Sequence, residues 1–319
     1  MINSIITYKD ISTYRSEIMG WSILWIMMLH FAFHQIKPLG FMAQYGFAGV
    51  DMFLFMSGFG LYYSLNKEYH LISFYKKRLF RIFPTYYLLG IIASIVLFHD
   101  DIYTYIIRYT TIGFWIGGIY WEWYIPSLIL LYLFAPLVKK MFDRKMLYVI
   151  LSLAVICLIF SYILIDKDVI DREHFFILYR IPAFLFGMAC AYWLETNYST
   201  IIFYFFLIAG IPLFIVLYPN HHLVYNYKYF SLLFLLPLFL LVFILISKYL
   251  KFTNYITSEI GKSSLEIYLI QSLFFSATLQ GIITVPAEWH DILTTIFIIA
   301  SSISGIFVHW LINQSGIYR

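Results

Sequence analysis

"FYKKRLFRIFPTYYLLG", Phe74 to Gly90, decides how this chain is read. Lys76, Lys77, Arg78 and Arg81 stand where a long apolar run begins, and the two arginines continue into it. Basic residues clustered at the start of an apolar run mark the cytoplasmic edge of a membrane helix, and Pro84 is tolerated there because neighbouring helices satisfy the freed carbonyl. The rest of the chain agrees. Of 319 residues 62% are hydrophobic and 12% charged, whereas soluble domains carry about 25% charged residues, so a soluble core cannot account for the balance.

Apolar runs near the ~20 residues that cross a hydrocarbon core recur along the chain. They predict an all-α, polytopic bundle of ten spans at 17–36, 45–65, 79–98, 122–138, 146–165, 175–194, 200–218, 229–247, 263–283 and 291–312. The segment 103–121 contains Arg108 and "GFWIGGIYW" and reads as a re-entrant or interfacial piece. With the N-terminus inside, fifteen lysines and arginines fall in cytoplasmic segments, five fall outside, and Arg180 is left within a span. An eleventh span would move the basic stretches at 139–145 and 248–262 outside, so the charge bias favours ten spans with both termini cytoplasmic. The acidic loop "DKDVIDREH", Asp166 to His174, then lies outside.

No signal-peptide pattern opens the chain, no internal repeat or low-complexity tract interrupts it, and a single domain over residues 1–319 is expected. The net charge of +4 says little about nucleic acid, which is not expected as a partner; membrane lipids are. Cys157 and Cys190 each sit in an apolar run and read as packing residues. His221 and His222 are adjacent but lack further ligands nearby, so no metal is expected.

An ionisable residue inside a span costs roughly 2.5 to 3.5 kcal/mol and so needs a partner or a purpose. His30 lies about 20 Å above the cytoplasmic edge of the first span at 1.5 Å per residue, and Asp51 enters from the other side to a similar depth. An imidazole and a carboxylate on neighbouring antiparallel helices could meet as a general base with its orienting acid, or as a hydrogen-bonded pair that locks two helices. Arg78 and Arg81 are three apart and share a helical face. They suit bidentate capture of a phosphate or pyrophosphate, with plain anchoring at the cytoplasmic edge as the alternative. Arg180, ahead of Pro182, could snorkel or pair with Asp51 or Glu122. Glu266 could cap its helix or face the interior, and His34 reads as an interfacial aromatic.

"ILWIMMLHFAFH" (Ile23 to His34), "GFAGVDMFLFMSGFGLYYS" (Gly46 to Ser64) and "FYKKRLFRIFPTYY" (Phe74 to Tyr87), in that order, resemble the opening of the acyltransferase 3 family of bacterial integral-membrane O-acyltransferases. "WYIPSLILLYLFAPL" (Trp123 to Leu137) and "SSLEIYLIQSLFF" (Ser263 to Phe275) resemble later family segments. The resemblance implies transfer of an acyl group, most often acetyl, from cytoplasmic acyl-coenzyme A to a hydroxyl of a surface or exported glycan or lipid-linked saccharide. It implies a multi-pass protein of the bacterial inner membrane. His30 and Asp51 fall on the family's catalytic positions, and Arg78 and Arg81 on its donor-binding arginines. Glu122, Arg180 and Gln271 remain as weaker substrate-positioning candidates. The chain departs from the commoner pattern at Gln271, where many relatives have histidine, and it lacks the esterase-like domain of some relatives. A covalent acyl-histidine relay and direct transfer both stay open. So do two rival functions: export of a polysaccharide or lipid-linked sugar, and a non-catalytic subunit working with glycan-assembly partners.

Overall fold

The computed structural model describes residues 7–31, 39–67, 70–116, 118, 120–141, 156, 172–196, 208–216, 234–284 and 286–316. Among these residues every regular element is helical. In chain order they are α1 (Tyr8–Thr13), α2 (Arg15–His30), α3 (Leu39–Ala43), α4 (Ala48–Lys67), α5 (Leu71–Ala93), α6 (Ile102–Tyr109), α7 (Ile112–Ile116), α8 (Tyr124–Met141), α9 (Arg172–Thr196), α10 (208–216), α11 (Leu236–Tyr249), α12 (Lys251–Lys262), α13 (Ser264–Leu279) and α14 (His290–Gln314). Three are long and apolar enough to cross a membrane: α5 with its π-helical extension to Phe98, α8 and α14. Helices α11 and α13 are apolar but shorter. The predicted span at 146–165, apart from residue 156, and much of that at 200–218 lie outside the described residues, as do His34, Cys157, His221 and His222.

The described residues group into two compact units, each assembled from separated stretches of chain. One unit takes residues 1–15, 51–74 and 127–251. Its packing turns on α4 and α9. A Cβ at Gly58 would collide with the Phe184 carbonyl, and one at Gly187 would collide with the Phe55 carbonyl. The two backbones thus touch reciprocally through glycine, the small-residue approach by which membrane helices gain van der Waals contact. The C-terminal ends of the same helices are tied by Glu195, which accepts hydrogen bonds from the Tyr62 hydroxyl at 2.7 Å and the Asn66 amide at 3.2 Å.

The second unit takes residues 16–50, 75–126 and 252–319. Here α13 and α14 pack along one another, and Gly305 of α14 faces the backbone of Ile267. The segment predicted to be re-entrant or interfacial folds as α6 and α7, of 8 and 5 residues, each too short to span. Arg108 closes this excursion. Its Nε and Nη2 donate to the two carboxylate oxygens of Asp100, both at 2.9 Å, and Nη1 donates to the Tyr120 carbonyl at 2.8 Å. Asp101 caps α6 by accepting the Thr104 N–H at 2.7 Å, which holds its carboxyl below the usual carboxylate range. The excursion is fastened to α5 by aromatic packing, with Trp121 stacked on Tyr86 at 5.9 Å and Tyr109 set edge-on to Tyr86 at 5.5 Å.

Candidate active site

His30 is the last residue of α2, where helical carbonyls run out of intrahelical partners. Thr294 of α14 supplies one, its hydroxyl donating to the Phe31 carbonyl at 3.0 Å in a buried position. The Phe31 ring packs on Phe297, at 5.7 Å between centroids, so this end of α2 is pinned beside the histidine. The half-buried His30 ring stacks on Phe275 of α13 at 5.1 Å and 25°. Gln271 lies one turn earlier on the same face of α13 and is fully buried beside the imidazole. The Gln271 side chain is the hydrogen-bonding neighbour of the His30 imidazole.

Asp51 opens α4 in the other unit, and its sequence-level role is to orient His30. Its observed partner is Arg180 of α9, whose Nη1 stands 2.7 Å from Asp51 Oδ1 with both side chains buried. This is one of the two pairings the sequence allows for Arg180. Removing Arg180 would take the charged partner from the buried Asp51 carboxylate, a loss of about 3 to 5 kcal/mol in such pairs. The second oxygen, Asp51 Oδ2, has no hydrogen-bond partner among the described residues.

The arginines of α5 share a face as their spacing predicts. Arg81 is drawn to α13: its Nη1 donates to Glu266 Oε1 at 3.0 Å and its Nη2 to the Lys262 carbonyl at 3.1 Å. Glu266 is fully buried and collects further partners, the Thr85 hydroxyl at 3.4 Å and His309 Nδ1 at 3.1 Å. It faces the interior, one of its two sequence-level options. Five residues separate Glu266 from Gln271, about 7.5 Å along the axis, so α13 carries both the partner of Arg81 and the neighbour of His30. The Glu122 carboxylate accepts the backbone N–H groups of Tyr124 at 2.7 Å and Ile125 at 3.0 Å, capping α8, and also the Tyr268 hydroxyl at 3.0 Å.

Apart from Arg78, on α5 with Arg81, the site residues fall into four groups: His30 with Gln271, Asp51 with Arg180, Arg81 with Glu266, and Glu122 at a helix terminus. Sequence reasoning missed His309 and Thr294, which are single polar residues in the last apolar run with no motif around them. It also missed the hub role of Glu266, although the cost of a carboxylate inside a span signalled that some partner was needed. Among the described residues no three side chains of metal-ligating type converge.

A model of the acyltransferase 3 family, described as "Acyltransferase domain", matches residues 20–312, which contain all four groups. The chain belongs to the acyltransferase 3 family. Among curated proteins, this family member is similar to "Putative acetyltransferase ORF330" of Acidianus two-tailed virus, with 26% identity over 184 residues. That match covers 53% of this chain and 52% of the viral protein, so the chain spans about half the length of the curated relative it matches. No solved structure matches the chain significantly.

Proposed function

We propose that this acyltransferase 3 family member is a membrane O-acyltransferase that moves an acyl group, acetyl in the simplest case, from cytoplasmic acyl-coenzyme A to a hydroxyl of a cell-surface or exported glycan. In this reading it is a ten-span protein of a bacterial inner membrane with both termini in the cytoplasm. The observation that carries the proposal is the family match over residues 20–312, enclosing a half-buried histidine with the Gln271 amide beside its ring. The name of the viral relative supports acetyl as the group transferred.

The residues present suit such a donor. Lys76, Lys77, Arg78 and Arg81 form a basic, solvent-reaching stretch at the start of α5, matched to the phosphates of coenzyme A. Glu266 and the Lys262 carbonyl hold the Arg81 guanidinium in one orientation, which lowers the entropy lost when it meets an anion. His30 takes the proton of the acceptor hydroxyl. Asp51 has one carboxylate oxygen on Arg180, and the other has no hydrogen-bond partner among the described residues. Glu122 and Arg180 serve by holding α8 and Asp51 in place.

The test is His30→Ala. The purified variant should fold and bind coenzyme A as wild type does, and the mass of surface glycans from cells carrying it should lack the acyl increment. General-base catalysis contributes about 10²- to 10⁴-fold, so residual transfer should fall to that fraction. Full acylation by a well-folded His30→Ala protein would remove the histidine from the mechanism.

A further inference from the structure

Helix α12 (Lys251–Lys262) has 12 residues, about 18 Å of rise against the ~30 Å hydrocarbon core that a span must cross, and it joins the apolar helices α11 and α13. Its faces are turned the opposite way from those of a helix at a watery surface, which hides its apolar stripe and shows its polar one. Thr257 is buried, its hydroxyl donating to the Thr253 carbonyl at 3.0 Å, and Thr253 and Asn254 are half-buried. Outward go Phe252, Tyr255 and Ile256, which are 81%, 78% and 61% exposed. Their spacing, three and four residues apart, makes them one stripe on one face. The helix is held in this rotation by backbone contact with α2: a Cβ at Gly261 would collide with the Ser16 carbonyl, and one at Gly20 with the Thr257 carbonyl.

Lysines edge the stripe. At about 3.6 residues per turn, Lys251 and Lys262 fall within about 40° of Tyr255 around the axis, and both are exposed. Lys248 and Tyr249, just ahead of the helix, are exposed as well. Glu259 offsets one charge through a 2.7 Å ion pair with Lys262, so Lys248 and Lys251 supply the net positive charge of the segment.

We infer that α12 is an interfacial helix that docks on an anionic lipid surface, with Phe252, Tyr255 and Ile256 among the headgroups and Lys248 and Lys251 on lipid phosphates. A contiguous exposed apolar stripe calls for a partner, and the positive charge beside it complements an anionic bilayer. Aromatic rings and lysines are also the side chains that settle at a membrane boundary, the ring at headgroup level and the ammonium reaching toward water. In the orientation proposed above this surface is the cytoplasmic leaflet, and the inference holds whatever group the protein transfers. The last residue of α12, Lys262, gives its carbonyl to Arg81, so the docked helix also holds one partner of the proposed donor arginine.

The experiment places a fluorophore on Tyr255→Cys, and separately on Phe252→Cys, in full-length protein carrying Cys157→Ala and Cys190→Ala. The protein is reconstituted into phosphatidylcholine vesicles doped with an equal fraction of either brominated phosphatidylglycerol or brominated phosphatidylcholine. Both brominated lipids should quench the probe, phosphatidylglycerol more strongly, because each lysine near an anionic surface strengthens association about fivefold. Lys248→Gln with Lys251→Gln should bring the two lipids to parity, and so should molar salt, which screens the charges without lifting the rings from the headgroups. Equal quenching by the two lipids in the protein with both lysines intact overturns the anionic preference. A probe that neither lipid quenches and aqueous iodide does shows a face in water, and overturns the docking itself. So does a probe that neither lipid quenches when Tyr255→Cys forms a disulfide between copies, which identifies a second copy of the chain as the cover.

Discussion

Arg81 and Glu266 make the pair whose perturbation is most sharply constrained by the structure, because the two ends of the ion pair differ so much in exposure. The Glu266 side chain is completely buried, whereas 37% of the Arg81 side chain remains exposed. Losing the arginine therefore takes a charged partner from a fully buried carboxylate, which Thr85 and His309 also approach, whereas losing the carboxylate leaves a guanidinium that water can reach. A charge-assisted hydrogen bond contributes about 1.5 to 3 kcal/mol, and the exposed end places this one near the lower figure. Arg81→Ala should thus cost about 2 to 3 kcal/mol, allowing for the uncompensated buried charge, and Glu266→Gln about 1.5 kcal/mol. The double variant should cost less than the sum, with a coupling energy of about 1.5 kcal/mol. Arg81→Lys keeps the charge but cannot bridge both Glu266 and the Lys262 carbonyl, so it should fall between wild type and alanine. Equilibrium unfolding in mixed detergent–SDS micelles measures all four proteins. Additive losses, or Glu266→Gln more damaging than Arg81→Ala, would refute the reasoning, since both outcomes require that the carboxylate does not depend on the arginine.

Arg108→Lys should loosen the 101–121 excursion by about 1.5 to 3 kcal/mol, because an ammonium cannot hold both Asp100 oxygens and the Tyr120 carbonyl at once; faster proteolysis within that segment reports the loss, and unchanged protection would contradict it. The proposed orientation, with the start of α5 in the cytoplasm, predicts that a cysteine at Lys77 stays unlabelled by a membrane-impermeant thiol reagent in intact cells and reacts once the membrane is opened. Labelling in intact cells would reverse the topology and with it the cytoplasmic donor site.

Composition alone makes this chain helical and membrane-bound, since apolar runs with so few charges must satisfy their backbone groups internally. The order of motifs was also sufficient to indicate the family that the match over residues 20–312 bears out. Local spacing correctly placed Arg78 and Arg81 on one face, and it separated the short helices of 103–121 from the spans, because these properties depend on 1.5 Å per residue and little else. Partnership was beyond its reach. The linear chain offers Asp51 as one possible partner for Arg180, 129 positions away, without deciding it, and does not say that Glu266 gathers Arg81, Thr85 and His309 from two other helices. Depth along the membrane normal can be counted from residue numbers, but the direction a side chain takes around its helix depends on which helices pack beside it. That packing is settled by contacts such as the reciprocal glycines Gly58 and Gly187, where van der Waals approach of two backbones brings Asp51 and Arg180 within reach. The tertiary structure likewise decided that the face of α13 carrying Gln271 and Phe275 meets His30, because only the folded chain brings the end of α2 onto α13.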